Sequence, residues 1–169
     1  MHYGGMVIIE TKEGSMKRKN EFVLGLCMSP APENTDIYVR TPEDGYRVCE
    51  AQAGYGQEAF TVLCLNTRNR LIAGGIVTVG IIDSTLTHAR EIFRKAIQCQ
   101  ASAIVLVHNH PSSDTTPSAE DIKVTKQLVQ AGQVIGIKVL DHIIIGARTP
   151  DSPRGFTSFR EMSVVVFDA

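Results

Sequence analysis

Hydrophobic and polar positions change period several times along this chain, and each change marks an element. Residues 60–65 and 71–79 are apolar, β-rich runs separated by the polar link Asn66-Thr67-Arg68-Asn69-Arg70. A link of that length between two such runs predicts adjacent antiparallel strands. From Asp83 the period lengthens: Ile92, Phe93, Ala96 and Ile97 recur at helical spacing and predict a helix over 87–100. Residues 103–107 form an unbroken apolar run with β-branched members. That run is short enough for a buried central strand, and it leads directly into His108. Ile122, Leu128 and Val129 predict a helix over 118–131, with Gly132 as its C-terminal cap. Residues 134–145 and 163–167 read as further strands.

The first forty residues are the least patterned. Gly4, Gly5 and Gly14 interrupt the start, a weak strand is predicted at 22–27, and Ser29-Pro30-Ala31-Pro32 marks a turn-rich connection. Thr41-Pro42-Glu43-Asp44 then carries a helix start, with Thr41 as cap, Pro42 in the first helical position and acids in the first turn. That helix is expected to fade before Gly54. Together the elements predict an α/β (α+β type) fold, a single-domain mixed β-sheet flanked by helices. Residues 1–40 form an N-terminal extension, and 41–169 the core domain. At 169 residues the chain suffices for one well-buried core.

Composition narrows the function classes. Hydrophobic residues at 43% and charged residues at 21% are ordinary for a compact globular protein and exclude a disordered chain. A formal net charge of -1 supplies no overall basic field, so direct nucleic-acid binding is not favoured. The local cluster Lys17-Arg18-Lys19 reads as a solvated edge. Cys27, Cys49, Cys64 and Cys99 contain no Cys-x-x-Cys pair, which removes a thiolate zinc knuckle and a thioredoxin-type motif. They read as reduced thiols packed as small hydrophobes. No signal segment opens the chain and no run reaches the ~20 apolar residues of a membrane span, so the cytoplasm is the expected compartment.

The candidate chemistry lies where the central strand ends. Alternate side chains of a strand share a face, so His108 and His110 project together with Cα atoms roughly 6.5–7 Å apart, a span that lets both imidazoles reach one ion. Asp121, one turn inside the next helix, is the third candidate ligand. Two histidines and one carboxylate leave a coordination position open for water, as in catalytic zinc. Glu58, just before the strand at 59–65, is the candidate general base. Ser118-Ala119-Glu120-Asp121 also reads as a capping sequence, in which an acid three positions on reaches back to the cap. Both readings of Asp121 stay open at this level.

Order and spacing add specificity. His108-Asn109-His110, the seven residues from Pro111 to Pro117, Ser118, two more and Asp121 resemble the JAMM motif of the JAB/MPN metallopeptidase superfamily. More narrowly, Arg90-Glu91-Ile92-Phe93, His108-Asn109-His110-Pro111-Ser112, Thr116-Pro117-Ser118 with Asp121, and Asp141-His142-Ile143-Ile144-Ile145-Gly146 are similar to the RadC-like family, from about Thr41 to the C-terminus. The resemblance implies a JAB/MPN (cytidine-deaminase-like) architecture and Zn2+ held by His108, His110 and Asp121. It also implies Glu58 as general base, Ser118 as a donor to the developing oxyanion, and a peptide or protein as substrate. Two residues depart from the family: Ser113 stands where it usually has Gly, and Thr115 where it often has Pro. The helix-hairpin-helix region of RadC proteins has no counterpart before Thr41, so direct DNA contact is not expected.

Several residues compete for these roles. Asp114 is the rival ligand, but in Ser-Ser-Asp-Thr-Thr it reads as a turn residue bonding its own backbone. Glu91 is the rival base, although an Arg-Glu pair on an amphipathic helix reads as an ordinary surface charge. His142 is expected to pack or to hydrogen-bond behind the ligands, and His88 to face water. The favoured expectation is a zinc-dependent hydrolase of amide or isopeptide bonds. A DNA repair or recombination accessory with a structural or vestigial metal site is the alternative, and a catalytically silent scaffold ranks last.

Overall fold

The computed structural model describes residues 29–31, 36–80, 89–150 and 152–167. The strand expected at 22–27, Lys17-Arg18-Lys19, Cys27 and His88 lie outside these residues.

The order of elements is β1 (Ser29–Pro30), α1 (Pro42–Cys49), a 3-10 helix (Glu50–Gly54), β2 (Ala59–Leu65), β3 (Leu71–Val79), α2 (Ala89–Gln98), β4 (Ala103–Asn109), α3 (Ala119–Ile135), β5 (Lys138–Ile145), β6 (Phe156–Ser158) and α4 (Phe159–Met162). The described strands form one sheet in the order β1-β3-β2-β4-β5-β6. All neighbours are antiparallel except β4 and β5, which run parallel and are joined through α3. A parallel pair needs such a crossover, because a short turn cannot return the chain to the starting edge. The sheet is therefore mixed, as its alternation of elements predicts.

Helices cover both faces. Ile104 and Leu106 of β4 pack with Phe60, with Ile92 and Phe93 of α2, and with Val124 and Leu128 of α3. Val105 and Val107 face the other way, toward Tyr46 and Cys49 of α1. Burial on both faces explains why 103–107 shows no period-two polarity; each of these large side chains contributes about 1.5–3 kcal/mol when buried. The helix at Thr41 begins as expected: Thr41 caps it, and Asp44 completes a reciprocal capping box.

Two boundaries differ from the sequence reading. Gly132 does not end α3; the helix continues to Ile135 and stops at Gly136, whose φ of 79° suits a left-handed cap. Gly132 is there for close approach, since a Cβ on it would fall 2.5 Å from the Ile137 carbonyl oxygen. Val134 is accordingly on the helix and exposed, and the strand starts at Lys138 rather than 134. Residues 163–167 are not a strand. The edge strand is Phe156–Ser158, α4 follows, and Ser163 ends it at a φ of 56°. Val164, Val165 and Phe167 pack on the core while Val166 is exposed, and no neighbouring strand pairs with this run.

Among the described residues no helix is long and apolar enough to cross a membrane. Cys49 and Cys64 are buried free thiols and Cys99 is half-buried.

Candidate metal centre

The end of β4, the start of α3 and the chain before β2 meet at one point. Near its end β4 carries His108, still fully buried, on the Ile104–Leu106 face, the same face on which α3 packs. Phe60 pairs with His108 in the antiparallel register, and its ring stacks on the imidazole at 6.1 Å between centroids. Continuing that register sets Glu58 against His110. Glu58 is half-buried, and its charge helps to raise the His110 pKa.

His108 Nε2 lies 3.0 Å from His110 Nε2 and 3.4 Å from Asp121 Oδ1, and His110 Nε2 lies 3.8 Å from Asp121 Oδ2. One nitrogen or oxygen from each of the three residues falls within 4.8 Å of the other two. Two atoms each ~2.0–2.1 Å from one tetrahedral ion would stand about 3.3–3.4 Å apart. The cluster is therefore of the size that holds a metal ion.

Hydrogen accounting sharpens that fit. His110 Nδ1 lies 2.6 Å from the Asp114 main-chain oxygen, which can only accept, so Nδ1 carries the hydrogen and a neutral His110 has a bare Nε2. That bare nitrogen faces His108 Nε2 and a carboxylate. Acceptors gathered in this way repel one another unless a cation or a proton sits among them.

The electrostatics report the same tension. Burial pushes His108 down to about 4; Asp121 raises it and His110 lowers it further. His110 is raised, chiefly by its hydrogen bond to Asp121. Burial would lift the Asp121 carboxyl, but the hydrogen bond from His110, the charge of His108 and the bonds from Ser118 together hold it well below the carboxylate range.

Asp121 closes the helix cap and also faces the histidines. Its Oδ2 accepts from Ser118 N at 2.8 Å and Ser118 Oγ at 2.6 Å, and Ser118 Oγ accepts from Asp121 N at 3.1 Å, a full capping box. Its Oδ1 faces His108. The Ser118 hydroxyl hydrogen is already given to Asp121, so donating to a substrate oxygen requires turning it away from the cap.

The rivals fall elsewhere. The Asp114 side chain accepts from Thr116 N at 3.0 Å in a local turn, while its main-chain oxygen orients His110. Glu91 pairs with Arg90 and Arg94 at the surface of α2. His142 is fully buried behind His108, with its Nε2 2.8 Å from His108 Nδ1, a place behind the three converging groups rather than among them. Ser113 sits at a φ of 63°, the left-handed region where glycine is at ease. A Gly there would carry no such strain.

Sequence reasoning missed two groups. Asn109 is fully buried: its Oδ1 accepts from Ala59 N at 2.8 Å, and its Nδ2 donates to the carbonyls of Gln57 at 3.1 Å and Tyr55 at 3.4 Å. It buckles the segment that carries Glu58 to the end of β4. A polar amide between two histidines on a fully buried strand was the available signal. Thr125, one turn beyond Asp121, gave no signal by type, yet its hydroxyl reaches both Asp121 and His142.

Comparisons with known proteins meet at the same residues. Residues 39–164 match the profile of the RadC-like JAB domain. A UPF0758 protein of Caldanaerobacter subterraneus is 43% identical over 133 residues, covering 78% of this chain and 57% of the relative. UPF0758 proteins of Desulforamulus reducens and Desulforudis audaxviator are 46% and 47% identical, covering 73% and 74% of this chain and 55% of each relative. The chain thus spans a little over half the length of these curated relatives.

Proposed function

Because this chain belongs to the RadC-like JAB domain family, and its cluster of acceptors calls for a cation, we propose that it is a zinc-dependent hydrolase of amide or isopeptide bonds in peptide or protein substrates. His108 and His110 through Nε2 and Asp121 through Oδ1 would hold the ion. The observation that carries the reading is the convergence of these three groups within 4.8 Å.

Bound zinc supplies a Lewis acid that polarises a carbonyl and acidifies water toward a pKa of about 7. The remaining roles belong to this chain. Glu58 stands half-buried on the His110 side of the cluster and takes the proton of the attacking water. Asn109 holds the Glu58 segment against β4, which limits the freedom of that base. Ser118 turns its hydroxyl from Asp121 toward the oxygen that gains charge. The proton on Glu58 then passes to the leaving nitrogen. The bond broken is C–N and the bond formed is C–O, so the products are an acid and an amine.

The test begins with protein purified without chelators or a histidine tag. About one zinc per chain is expected, lost in His108→Ala and in Asp121→Ala. Cleavage of peptide and isopeptide libraries by the loaded protein then reports turnover. Protein that stays metal-free after zinc is added back would overturn the reading. Loaded protein that cleaves no amide substrate would retain the metal site and overturn the hydrolase.

A further inference from the structure

We propose that Thr125 and His142 are positioning residues that fix the tautomer of His108, keeping its Nε2 bare and aimed at His110 and Asp121.

Thr125 Oγ1 lies 2.6 Å from the main-chain oxygen of Asp121 and 2.5 Å from His142 Nδ1. A hydroxyl has a single hydrogen, and a carbonyl oxygen can only accept. The hydrogen therefore goes to Asp121, and Thr125 must accept from His142 Nδ1. Neutral His142, thus protonated on Nδ1, has an acceptor at Nε2. That nitrogen lies 2.8 Å from His108 Nδ1, which must be the donor. One ring hydrogen remains to neutral His108, it is on Nδ1, and Nε2 is left with its lone pair.

The reversed chain would give the 3.0 Å contact between His108 Nε2 and His110 Nε2 a hydrogen, but at the expense of the shorter contact behind it. If Thr125 donated to His142, each later hydrogen would move one place, and His108 would carry N–H on Nε2, in the corner where an ion would sit. The 2.6 Å contact between Thr125 Oγ1 and the Asp121 oxygen would then hold no hydrogen, two acceptors pressed together. Thr125, His108 and His142 are all fully buried, so no solvent stands by to relieve either end. The helix carbonyl thus sets the polarity of the whole chain.

Packing holds the relay in line. His142 is enclosed by Phe60 at 5.3 Å and Phe159 at 4.8 Å between ring centroids. Asp141 accepts from the His142 main-chain N–H at 2.7 Å and from Ser158 Oγ at 2.6 Å, which anchors this stretch of β5. The relay starts at the backbone of Asp121 and ends at His108, so it ties two of the three converging residues to each other from behind.

The consequence for metal affinity rests on the zinc reading above, whereas the tautomer itself does not. Nitrogen NMR of the histidine rings in zinc-free protein is expected to place the His108 hydrogen on Nδ1. Thr125→Val, nearly isosteric, removes the acceptor for His142 and is expected to move some or all of that hydrogen to Nε2. Thr125→Ser is expected to restore the wild-type spectrum. Zinc affinity is expected to fall about 10–100-fold in Thr125→Val and to recover in Thr125→Ser. The proposal is overturned if wild-type His108 carries its hydrogen on Nε2, a measurement that needs no variant. It is equally overturned if a folded Thr125→Val keeps both the wild-type tautomer and the wild-type affinity. If the wild-type protein binds no zinc, the zinc reading fails, and the tautomer comparison alone decides the relay.

Discussion

The carboxylate of Asp121 serves two partners: Oδ2 lies 2.6 Å from Ser118 Oγ at the start of α3, while Oδ1 lies 3.4 Å from His108 Nε2 at the end of β4. One side chain thus closes a helix cap and completes the candidate metal cluster. The two duties use different oxygens, so they can be separated by mutation.

Ser118→Ala removes the cap and leaves all three converging groups. It is expected to lower stability by about 1 kcal/mol in chemical denaturation while zinc content stays near wild type. Asp121→Ala should show a comparable loss in zinc-free protein and lose the zinc as well. Equal zinc loss in both variants would show that the cap, rather than the carboxylate, controls binding.

Glu58→Gln keeps the shape of the side chain and removes its basicity. Zinc content is expected to be unchanged and kcat to fall about 10²- to 10⁴-fold. A variant as fast as wild type on a validated substrate would remove Glu58 from the mechanism.

Asn109→Ala leaves the buried Ala59 N–H without its acceptor, at a cost of about 1–3 kcal/mol. Because the same amide restrains the Glu58 segment, turnover should also drop with zinc retained, measured on the fraction that remains folded. A stability loss with full kcat would leave Asn109 purely structural.

Burial holds the folded His108 down to about 4, against an ordinary 6.5, and also lowers His142. Between those values the unfolded chain binds more protons than the folded one. Stability from these two residues is therefore present above about 6.5 and is lost as pH falls toward 4. For His108 alone the separation corresponds to roughly 3 kcal/mol at most. His110, raised chiefly by Asp121, works in the opposite sense over the neutral range. With two groups against one, the urea midpoint of zinc-free protein is expected to fall between pH 7 and pH 4.5. A flat or rising midpoint would contradict the buried neutral pair.

Ser113 pays for a φ of 63° and returns a hydrogen bond, its Oγ accepting from Ala147 N at 3.3 Å. Ser113→Gly loses that bond but relieves up to about 1 kcal/mol of backbone strain, so its melting temperature is expected to stand above that of Ser113→Ala. Ser113→Ala keeps the strain, loses the bond and should melt below wild type. The opposite ordering of the two variants would mean that the loop rearranges.

The local elements were legible because their causes are local. Thr41-Pro42 and the acids after it start α1 through bonds made within four residues. The unbroken run at 103–107 announced a strand covered on both faces. Boundaries set by contacts from afar were not legible: Gly132 looks like a stop, but it is a glycine because Ile137 and Phe93 come close to it. The run at 163–167 has a strand's β-branched composition, yet β6 at Phe156–Ser158 already occupies the edge beside β5.

From the sequence alone came the order His108-x-His110, Ser118 and Asp121, because strand and helix periods dictate which side chains share a face. His142 was also legible as a residue behind them, but tertiary structure alone decided how it is placed and that Thr125 meets it there. His142 reaches His108 because the β4–β5 ladder slips by one residue, from Ile104 opposite Val139 to Val105 opposite Asp141. That slip changes which face the following residues present. It turns His142 toward the α3 side of the sheet, where Thr125 meets it. No period in the chain encodes such a slip, since it arises where two strands far apart in sequence are packed against a common layer of helices.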